Sequence, residues 1–343
     1  MSESWFYHIS QAGKLSHVAT VDAALAAAKD GGCVWLHYSR TTKEELSNLI
    51  DPLGLHPLAI EDCFDENQIP KIEDFPRNTF VLFNSFDYSN RELLIGEIDL
   101  FIGENFLVTV SQHNSENRRL WDGIKHIVET NIESARNGPS FLMHIILDYV
   151  VDQKFLAIEA LEDELDTEEE AMLADASSFN PAELIRFRRY LLSLRKSLFH
   201  EREILIKICR KDCPFISEKA IFHYRDIYDH LARFFELTES YRDIVTSLME
   251  MYLSMLNNQM TKAANATNVT VRRLTFITTI FMPLTLLAGI GGMSEWSMMT
   301  GPEHWRIAYP AFLVAMVVIG CASYYLLNRL EKRSRRRDRR TRG

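Results

Sequence analysis

The sequence has few cysteines. The five that are present are odd in number and scattered over 343 residues, which argues against a disulfide framework and favours a reducing compartment. Only Cys209 and Cys213 lie close together, and neither a histidine pair nor a second cysteine pair accompanies them. A zinc site at these two cysteines is therefore disfavoured.

Signatures of common enzyme classes are also missing. The chain has no Gly-x-Ser-x-Gly elbow, phosphate-binding loop, His-Glu-x-x-His pair or dinucleotide fingerprint. The glycine-rich residues 289–292 follow an apolar run instead of a strand, so they lack the setting of a phosphate cradle. We predict that the protein is not an enzyme.

The chain is acidic overall and has a strongly basic segment at its C-terminus. The formal net charge is −9, yet residues 329–343 carry nine Lys or Arg against Glu331 and Asp338. A basic segment after an apolar run indicates attachment at a membrane surface, and we favour this over the nucleic-acid binding that any Arg-rich tail allows. The opening MSESWFYHIS shows no basic-then-apolar leader, so we expect the first part of the chain to stay in the cytoplasm.

Residues 1–130 are predicted to form a cytoplasmic α/β domain. Short runs rich in β-branched and aromatic residues predict strands at 34–38, 79–86, 93–102 and 106–110, and helices are expected at 23–29 and 43–49. Residues 131–213 are predicted to form a cytoplasmic helical hairpin. Its first helix (141–173) carries an acidic run, and its second (181–209) carries a basic run of Arg186, Arg188, Arg189, Arg195 and Lys196. The two helices either pair antiparallel or keep both charge runs on solvated faces.

Glycine and proline are absent between Pro214 and Pro283. Apolar residues recur there at spacings of three and four, which predicts a stalk helix over 214–273 that packs as a coiled-coil seam or against copies of itself. Residues 214–283 would extend roughly 100 Å as one helix.

Two uncharged runs follow, at 274–290 and 307–328. Together they predict a transmembrane hairpin joined by an outer loop at 291–306, and a buried helix is the weaker alternative. Arg272 and Arg273 precede the first run, and the basic tail at 329–343 follows the second. The positive-inside rule therefore places both termini in the cytoplasm, with the spans in a bacterial-type inner membrane.

The first uncharged run resembles a known family. Met282-Pro283-Leu284-Thr285 with Ala288-Gly289-Ile290, followed by Gly291-Gly292-Met293-Ser294, is similar to the first membrane helix and filter of the CorA-type divalent metal ion transporters. The resemblance implies an α+β cytoplasmic domain, a long helical stalk and two C-terminal transmembrane helices. It further implies a funnel-shaped homopentamer in the lipid bilayer, with the first membrane helices lining a pore for divalent cations.

The filter departs from the family pattern at one position. Family members have Gly-Met-Asn, whereas this chain reads Gly292-Met293-Ser294. The family Asn ring is thought to hold a hydrated cation, and a serine hydroxyl would do so more weakly because Mg²⁺ retains several waters when it binds. A branch such as the zinc exchange proteins or the CmaX-type proteins is a candidate closer relative.

Helical spacing places one further set of residues on a common face of the first span and its approach. The resemblance puts this face on the pore, with a hydrophobic gate near its cytoplasmic end. Alternatively, the threonines in this region serve only to bond back to helix carbonyls. Pro283, in the same span, is expected to act as a hinge or as a static kink. The face comprises Asn268, Val271, Leu274, Thr278, Met282, Thr285 and Gly289.

Two acidic pairs complete the candidate site. Asp226 matches the position of a regulatory cation between family subunits, with Asp87 as the nearest partner, although Ser89 is a competing match and a surface ion pair of Asp226 is an equal alternative. Glu295 and Glu303 lie in the predicted outer loop, where a carboxylate ring would attract cations.

These residues lead to two functional hypotheses. The first is passive inward flux of hydrated Mg²⁺ or Co²⁺, with Zn²⁺ or Ni²⁺ as further candidates, in a channel where cytoplasmic Mg²⁺ acts as both substrate and regulator. The second is a non-conducting pentameric scaffold or metal sensor whose ion filter has degenerated.

Overall fold

The computed structural model describes residues 4–65, 68–112, 117–292 and 305–341. The chain divides into two units, Met1–Tyr252 and Leu253–Gly343. The first contains a mixed sheet and long helices, and the second contains the end of the longest helix together with the last helix.

The first unit contains a seven-stranded sheet in the order β2-β1-β3-β7-β6-β5-β4. Its β3–β7 pairing is parallel, and its other pairings are antiparallel. The strands are β1 (Trp5–Ile9), β2 (Leu15–Val18), β3 (Cys33–Ser39), β4 (Lys71–Asp74), β5 (Thr79–Ser89), β6 (Glu92–Ile102) and β7 (Phe106–Ser111).

The helices fall into two groups. Short helices connect the strands, namely α1 (Val21–Lys29), α2 (Lys43–Ser47), α3 (Ile50–Leu53) and α4 (Pro57–Asp62). The helices after the sheet are α5 (Asn117–Thr130), α6 (Ile132–Ala135), α7 (Pro139–Ala174), α8 (Ala182–Cys209), α9 (Glu218–Gly291) and α10 (Trp305–Thr341).

The four predicted strands correspond to β3, β5, β6 and β7. A tight hairpin joins β5 to β6, and Asn90 and Arg91 both have the positive φ that such a turn requires. The sequence analysis missed β1, β2 and β4. β4 consists of Lys-Ile-Glu-Asp at the sheet edge, and four residues with three charges lack the apolar alternation of a strand.

The sheet buries side chains on both faces because successive strand residues point in opposite directions. On one face Ile98, Leu100 and Ile102 pack in a core shared with α7. On the other face Phe101 packs in a core shared with α2 and α4. The sheet is therefore the middle layer of an α+β unit.

Asp99 interrupts the second core with an acid. It is 2% exposed, and its Oδ1 has no hydrogen-bond partner among the described residues. Burial, followed by repulsion from Glu97, raises the pKa of Asp99 well above its usual range. Burial, with repulsion from Asp62 and Asp65, likewise raises the pKa of Glu97 to about 7.

These raised pKa values predict a pH-dependent stability. Between about pH 4.5 and 7 the folded chain holds more protons on Glu97 and Asp99 than the unfolded chain does, so stability is greatest at the acidic end and falls as pH rises. We expect Asp99→Asn to flatten this slope and to raise the unfolding temperature at pH 8 by roughly 5 °C, because position 99 then buries no charge. Thermal unfolding of the full chain in detergent from pH 4.5 to 8 measures this, and an unchanged slope in the variant would contradict it.

The predicted acidic and basic helices are α7 and α8, and they pack antiparallel. Glu164 near the end of α7 contacts Arg186 near the start of α8, whereas Lys154 earlier in α7 contacts Glu201 later in α8. Glu164 also accepts a 2.6 Å hydrogen bond from Arg91 in the β5–β6 turn. Part of each charge run thus pairs, and the remainder lies on exposed surface.

The Lys154–Glu201 pair is fully buried. Nζ of Lys154 lies 2.5 Å from Oε2 of Glu201, with both side chains 0% exposed, and 4.0 Å from the centre of the Phe83 ring. Oε1 of Glu201 accepts a 3.0 Å bond from the backbone N–H of Asn84 in β5 and a 3.3 Å bond from the Ser197 hydroxyl. This pair therefore ties α7, α8 and the sheet together inside an apolar core.

Candidate functional site

Two helices are long and apolar enough to cross a membrane. They lie within Glu218–Gly291 and Arg306–Arg329, and their most apolar 18-residue windows have mean hydropathy 1.8 and 2.0. Neither window is buried inside the folded chain. Both contain the uncharged runs seen in the sequence, so α9 and α10 provide the expected pair of spans.

The two helices pack against each other through one face of α9. A Cβ at Gly291 would lie 2.8 Å from the Phe312 ring, and a Cβ at Gly320 would lie 3.6 Å from Leu284. Because Gly320 has no side chain, Leu284 packs against it at van der Waals distance. Gly291 contacts Phe312 and Leu284 contacts Gly320, so α9 and α10 run antiparallel. The half-buried residues of α9 recur at spacings of three and four on this face and include Phe276, Ile280, Leu284, Leu287 and Gly291.

The predicted pore-facing residues lie away from this contact. All seven, from Asn268 to Gly289, are exposed, including Leu274 at 61% and Met282 at 74%. Four of them, Thr278, Met282, Thr285 and Gly289, line an open groove of about 750 Å³. The structure therefore leaves this mixed polar and apolar face uncovered by the chain's own second span.

The threonine hydroxyls bond back to the helix. Thr278 donates to the carbonyls of Leu274 and Thr275 at 3.1 Å, and Thr285 donates to the carbonyl of Phe281 at 2.8 Å. For Thr278 this is the local role expected from the sequence as the alternative to a place on the pore, and Thr285 makes the same kind of bond. Because each hydroxyl donates its hydrogen to a helix carbonyl, its oxygen can still accept a hydrogen bond from water.

Pro283 lies inside α9, which is continuous as a helix from Glu218 to Gly291. Proline has no N–H, so the carbonyl of Thr279 has no amide donor four residues on. At the end of the helix, the N–H of Gly292 donates to the Ala288 carbonyl at 3.0 Å. Met293, Ser294, Glu295 and Glu303 lie outside the described residues.

The two predicted regulatory acids have local partners. Asp226 on α9 lies 3.7 Å from His230, and its side chain is 71% exposed. Asp87 near the end of β5 accepts a 3.1 Å hydrogen bond from the Ser89 hydroxyl. Each carboxylate is therefore on the surface of the first unit, open to a neighbouring molecule.

A small pocket next to Asp226 was not found from the sequence. It measures about 180 Å³ and is lined by His144, Asp148, Asp152 and His223 together with residues of α5 and α7. The His144 and His223 rings lie 5.0 Å apart. Burial and His223 lower the pKa of His144 to about 4, and burial with Asp152 and Asp226 raises the pKa of Asp148. The regular spacing of four on α7 was the one signal that could have grouped His144, Asp148 and Asp152.

Comparison with known proteins decides the family. A family model described as CorA-like Mg²⁺ transporter protein matches residues 30–333. This chain belongs to the CorA family. It is 32% identical over 270 residues to the cobalt/magnesium transport protein CorA of Thermotoga maritima, covering 78% of this chain and 73% of that protein. It is also 23% identical over 265 residues to the divalent cation transporter CmaX of Pseudomonas aeruginosa, with 76% of each chain covered.

Solved structures agree with the fold. The complete CorA magnesium transporter of Methanocaldococcus jannaschii superposes with a TM-score of 0.69 at 22% identity, covering 94% of this chain and 96% of that chain. The full-length CmaX protein gives a TM-score of 0.66 at 20% identity, with 95% and 97% covered. The predicted α+β domain, long helix and two C-terminal helices are confirmed. At the level of its family, the protein is a membrane transporter of divalent cations, and the CorA family is a transporter family and not an enzyme class.

Proposed function

We propose that this CorA-family protein is a homopentameric channel for passive inward flux of hydrated divalent cations, with Mg²⁺ and Co²⁺ favoured and Zn²⁺ or Ni²⁺ as further substrates. The observation that carries the proposal is the exposed face of α9 between Asn268 and Gly289. A face directed only at lipid would be uniformly apolar, whereas this one includes an amide, two hydroxyls and a glycine. Five such faces around an axis would line a pore.

Each part of that face would have its own role. Val271 and Leu274 would form a hydrophobic constriction that gates by dewetting, while Asn268, Thr278 and Thr285 would accept hydrogen bonds from the waters of the cation. Met282 and Gly289 would set the pore width. Beyond them, Gly292, Met293 and Ser294 would form the outer filter, and the carboxylates of Glu295 and Glu303 would raise the local cation concentration.

Cytoplasmic Mg²⁺ would regulate the channel through acids at the subunit boundary. The exposed carboxylates of Asp226 and of Asp87 on a neighbour would repel each other without a cation and would be bridged by one. Bridging favours the closed pentamer because the cation binds that state better. Through Asp226 and Asp87, a high cytoplasmic Mg²⁺ concentration would therefore close the channel.

The same proposal fixes the topology. Residues 1–130, 131–213 and 214–273 would be the cytoplasmic domain, hairpin and stalk, and residues 329–343 the cytoplasmic tail. Residues 274–290 and 307–328 would cross a bacterial-type inner membrane, with 291–306 outside. The Arg residues flanking both spans support this orientation.

Uptake into liposomes tests the proposal. Purified protein is reconstituted with a divalent-sensitive dye inside, and Mg²⁺, Co²⁺, Ni²⁺ and Zn²⁺ are added with and without an inside-negative potential. Potential-driven entry would support the channel and name its ion. If a confirmed pentamer in the correct orientation takes up none of the four cations, the channel proposal is contradicted.

The serine in the filter motivates a second candidate function. If Ser294 has removed the ion site, the protein would be a non-conducting pentameric scaffold or metal sensor.

We expect Ser294→Asn to raise Mg²⁺ uptake about tenfold, because an amide reaches farther than a hydroxyl toward the hydrated ion, and one hydrogen bond to a charged group is worth roughly 1.5 kcal/mol. Ser294→Ala is the matched control and should lower uptake. If neither variant changes flux while Mg²⁺ still shifts subunit contacts, the sensor explains the protein better.

A further inference from the structure

The outward surface of α7 carries a line of acids between two leucines. Leu156 and Leu173 are 53% and 49% exposed, and the four acids between them are exposed as well. Positions three and four apart share one side of a helix, so these residues form a single stripe. We call it the acidic stripe: Leu156, Glu159, Asp163, Asp166, Glu170 and Leu173.

The outward surface of α8 carries an apolar line with basic edges. Ile185, Leu192 and Phe199 are 47%, 47% and 48% exposed, and their spacing of seven keeps them in line on the helix. Three exposed cations flank them. We call this set the basic stripe: Ile185, Arg188, Arg189, Leu192, Lys196 and Phe199.

Neither stripe is neutralised by the chain's own ion pairs. Within the described ranges, α7 and α8 form the buried Lys154–Glu201 pair and the Lys207–Asp74 pair. Their other ion pairs use Glu164, Glu168, Glu183, Arg186 and Arg195. Those residues lie beside the stripes and hold the fold of one chain together. Four acids and three bases on these two exposed surfaces therefore have no ion pair with any residue that the structure describes.

The stripes match each other in charge and in length. The acidic stripe extends over about 25 Å and the basic stripe over about 21 Å at about 1.5 Å per residue. Each stripe combines charged residues, as at the rim of an interface, with large apolar side chains whose burial would be favourable. Because they are different patches on one chain, contact between copies would be heterologous, the kind of contact that closes into a ring.

We propose that the basic stripe of one chain docks on the acidic stripe of a neighbouring copy in the ring. This inference rests on the proposed pentamer and names a surface that holds it together outside the membrane. A lipid headgroup layer is a weaker occupant, because anionic lipid would complement only the basic stripe. A second copy complements both.

Disulfide formation between singly substituted chains tests the contact. Chains carrying Asp163→Cys are mixed with chains carrying Leu192→Cys, reassembled at full length and oxidised. Cys209 and the exposed Cys321 are replaced by serine in every chain so that these native thiols do not form the link. Contact between the two stripes of neighbouring copies then joins the chains, so the expected result is a covalent dimer. When both substitutions lie in one chain, oxidation should give a covalent ladder up to the complete ring. Ser193→Cys in place of Leu192→Cys is the matched control, since it lies about 100° further round the helix and should cut the yield at least about fivefold.

Charge reversal supplies an independent readout. Changing Arg188, Arg189 and Lys196 to Glu should reduce the Asp163–Leu192 cross-link at least about tenfold, and adding Glu159→Lys with Glu170→Lys should restore it. A ring of correct mass that forms no cross-link would overturn the inference while leaving the proposed pentamer standing. A monomer by mass would overturn both. If anionic lipid nanodiscs instead protect Leu192→Cys from maleimide in the uncross-linked ring, the basic stripe binds lipid and the inference is wrong.

Discussion

Replacing Thr285 by lysine is expected to abolish divalent-cation uptake. Thr285 is exposed on the proposed pore face of α9 and lines the open groove there, so five ammonium groups would surround the path of the ion. One ammonium repels a divalent cation about 6 Å away by roughly 5 kcal/mol at an effective dielectric of about 20. We therefore expect uptake to fall at least about 100-fold, measured as dye response in liposomes under an inside-negative potential.

The control for this prediction is Thr285→Val. Valine keeps the shape of threonine and removes only the hydroxyl, so uptake should fall by no more than about tenfold, the value of one lost hydrogen bond. Equal amounts of each variant must be recovered as oligomer in the liposomes, because a lysine inside a membrane helix can also block insertion. Normal uptake by correctly assembled Thr285→Lys would remove Thr285 from the pore.

Lys154→Met is expected to destabilise the cytoplasmic unit strongly. The Glu201 carboxylate would lose its only counter-charge among the described residues while remaining fully buried. Breaking a buried pair on one side costs about 3–5 kcal/mol, which corresponds to a fall of roughly 6–20 °C in unfolding temperature for a unit of this size. Differential scanning fluorimetry of the full chain in detergent measures it.

The double variant Lys154→Met/Glu201→Gln should recover most of the loss. A glutamine oxygen can still accept from the Asn84 N–H and the Ser197 hydroxyl, which bond Oε1 of Glu201 at 3.0 and 3.3 Å, and no charge remains buried. Lys211→Met is the matched control, because its 2.8 Å pair with Glu218 is 59% and 78% exposed and exposed surface pairs contribute little to stability. Equal shifts for Lys154→Met and Lys211→Met would refute the buried-pair argument.

The Lys154→Met variant also carries a pH signature. Burial raises the pKa of Glu201, and removing Lys154 removes the charge that opposes this rise. The folded variant then holds a proton that the unfolded chain releases, so its stability is retained at low pH and lost as pH rises. The deficit should therefore be larger at pH 8 than at pH 5.

Local patterns in the sequence predicted much of the fold. The strands β3, β5, β6 and β7 were identified because each is a run rich in β-branched and aromatic residues bounded by turn residues. The long helix α9 followed from the absence of glycine and proline. The strands β1 and β2 and the helix α5 were missed, since β2 has only four residues and α5 contains Gly123, which weakens a helical pattern.

Part of the candidate site was likewise predicted from local patterns, and part of it was missed. Helical spacing alone placed Asn268 through Gly289 on one face, and the structure shows that the second span leaves this face exposed. The pocket of His144 and His223 was missed because its histidines lie 79 positions apart on two helices. No local pattern relates residues at such separation.

The sequence by itself determined where the long helices and the two apolar candidate spans lie, which end is basic and which residues share a face of α9. Those properties depend on the periodicity and composition of short segments, which the chain carries locally. Only the tertiary structure decided the parallel pairing of β3 with β7, the burial of Lys154 against Glu201 and the exposure of the two charged stripes. Each of these features depends on contacts between segments that are distant in the sequence. Those contacts are stabilised by the packed core as a whole, which no short segment specifies alone.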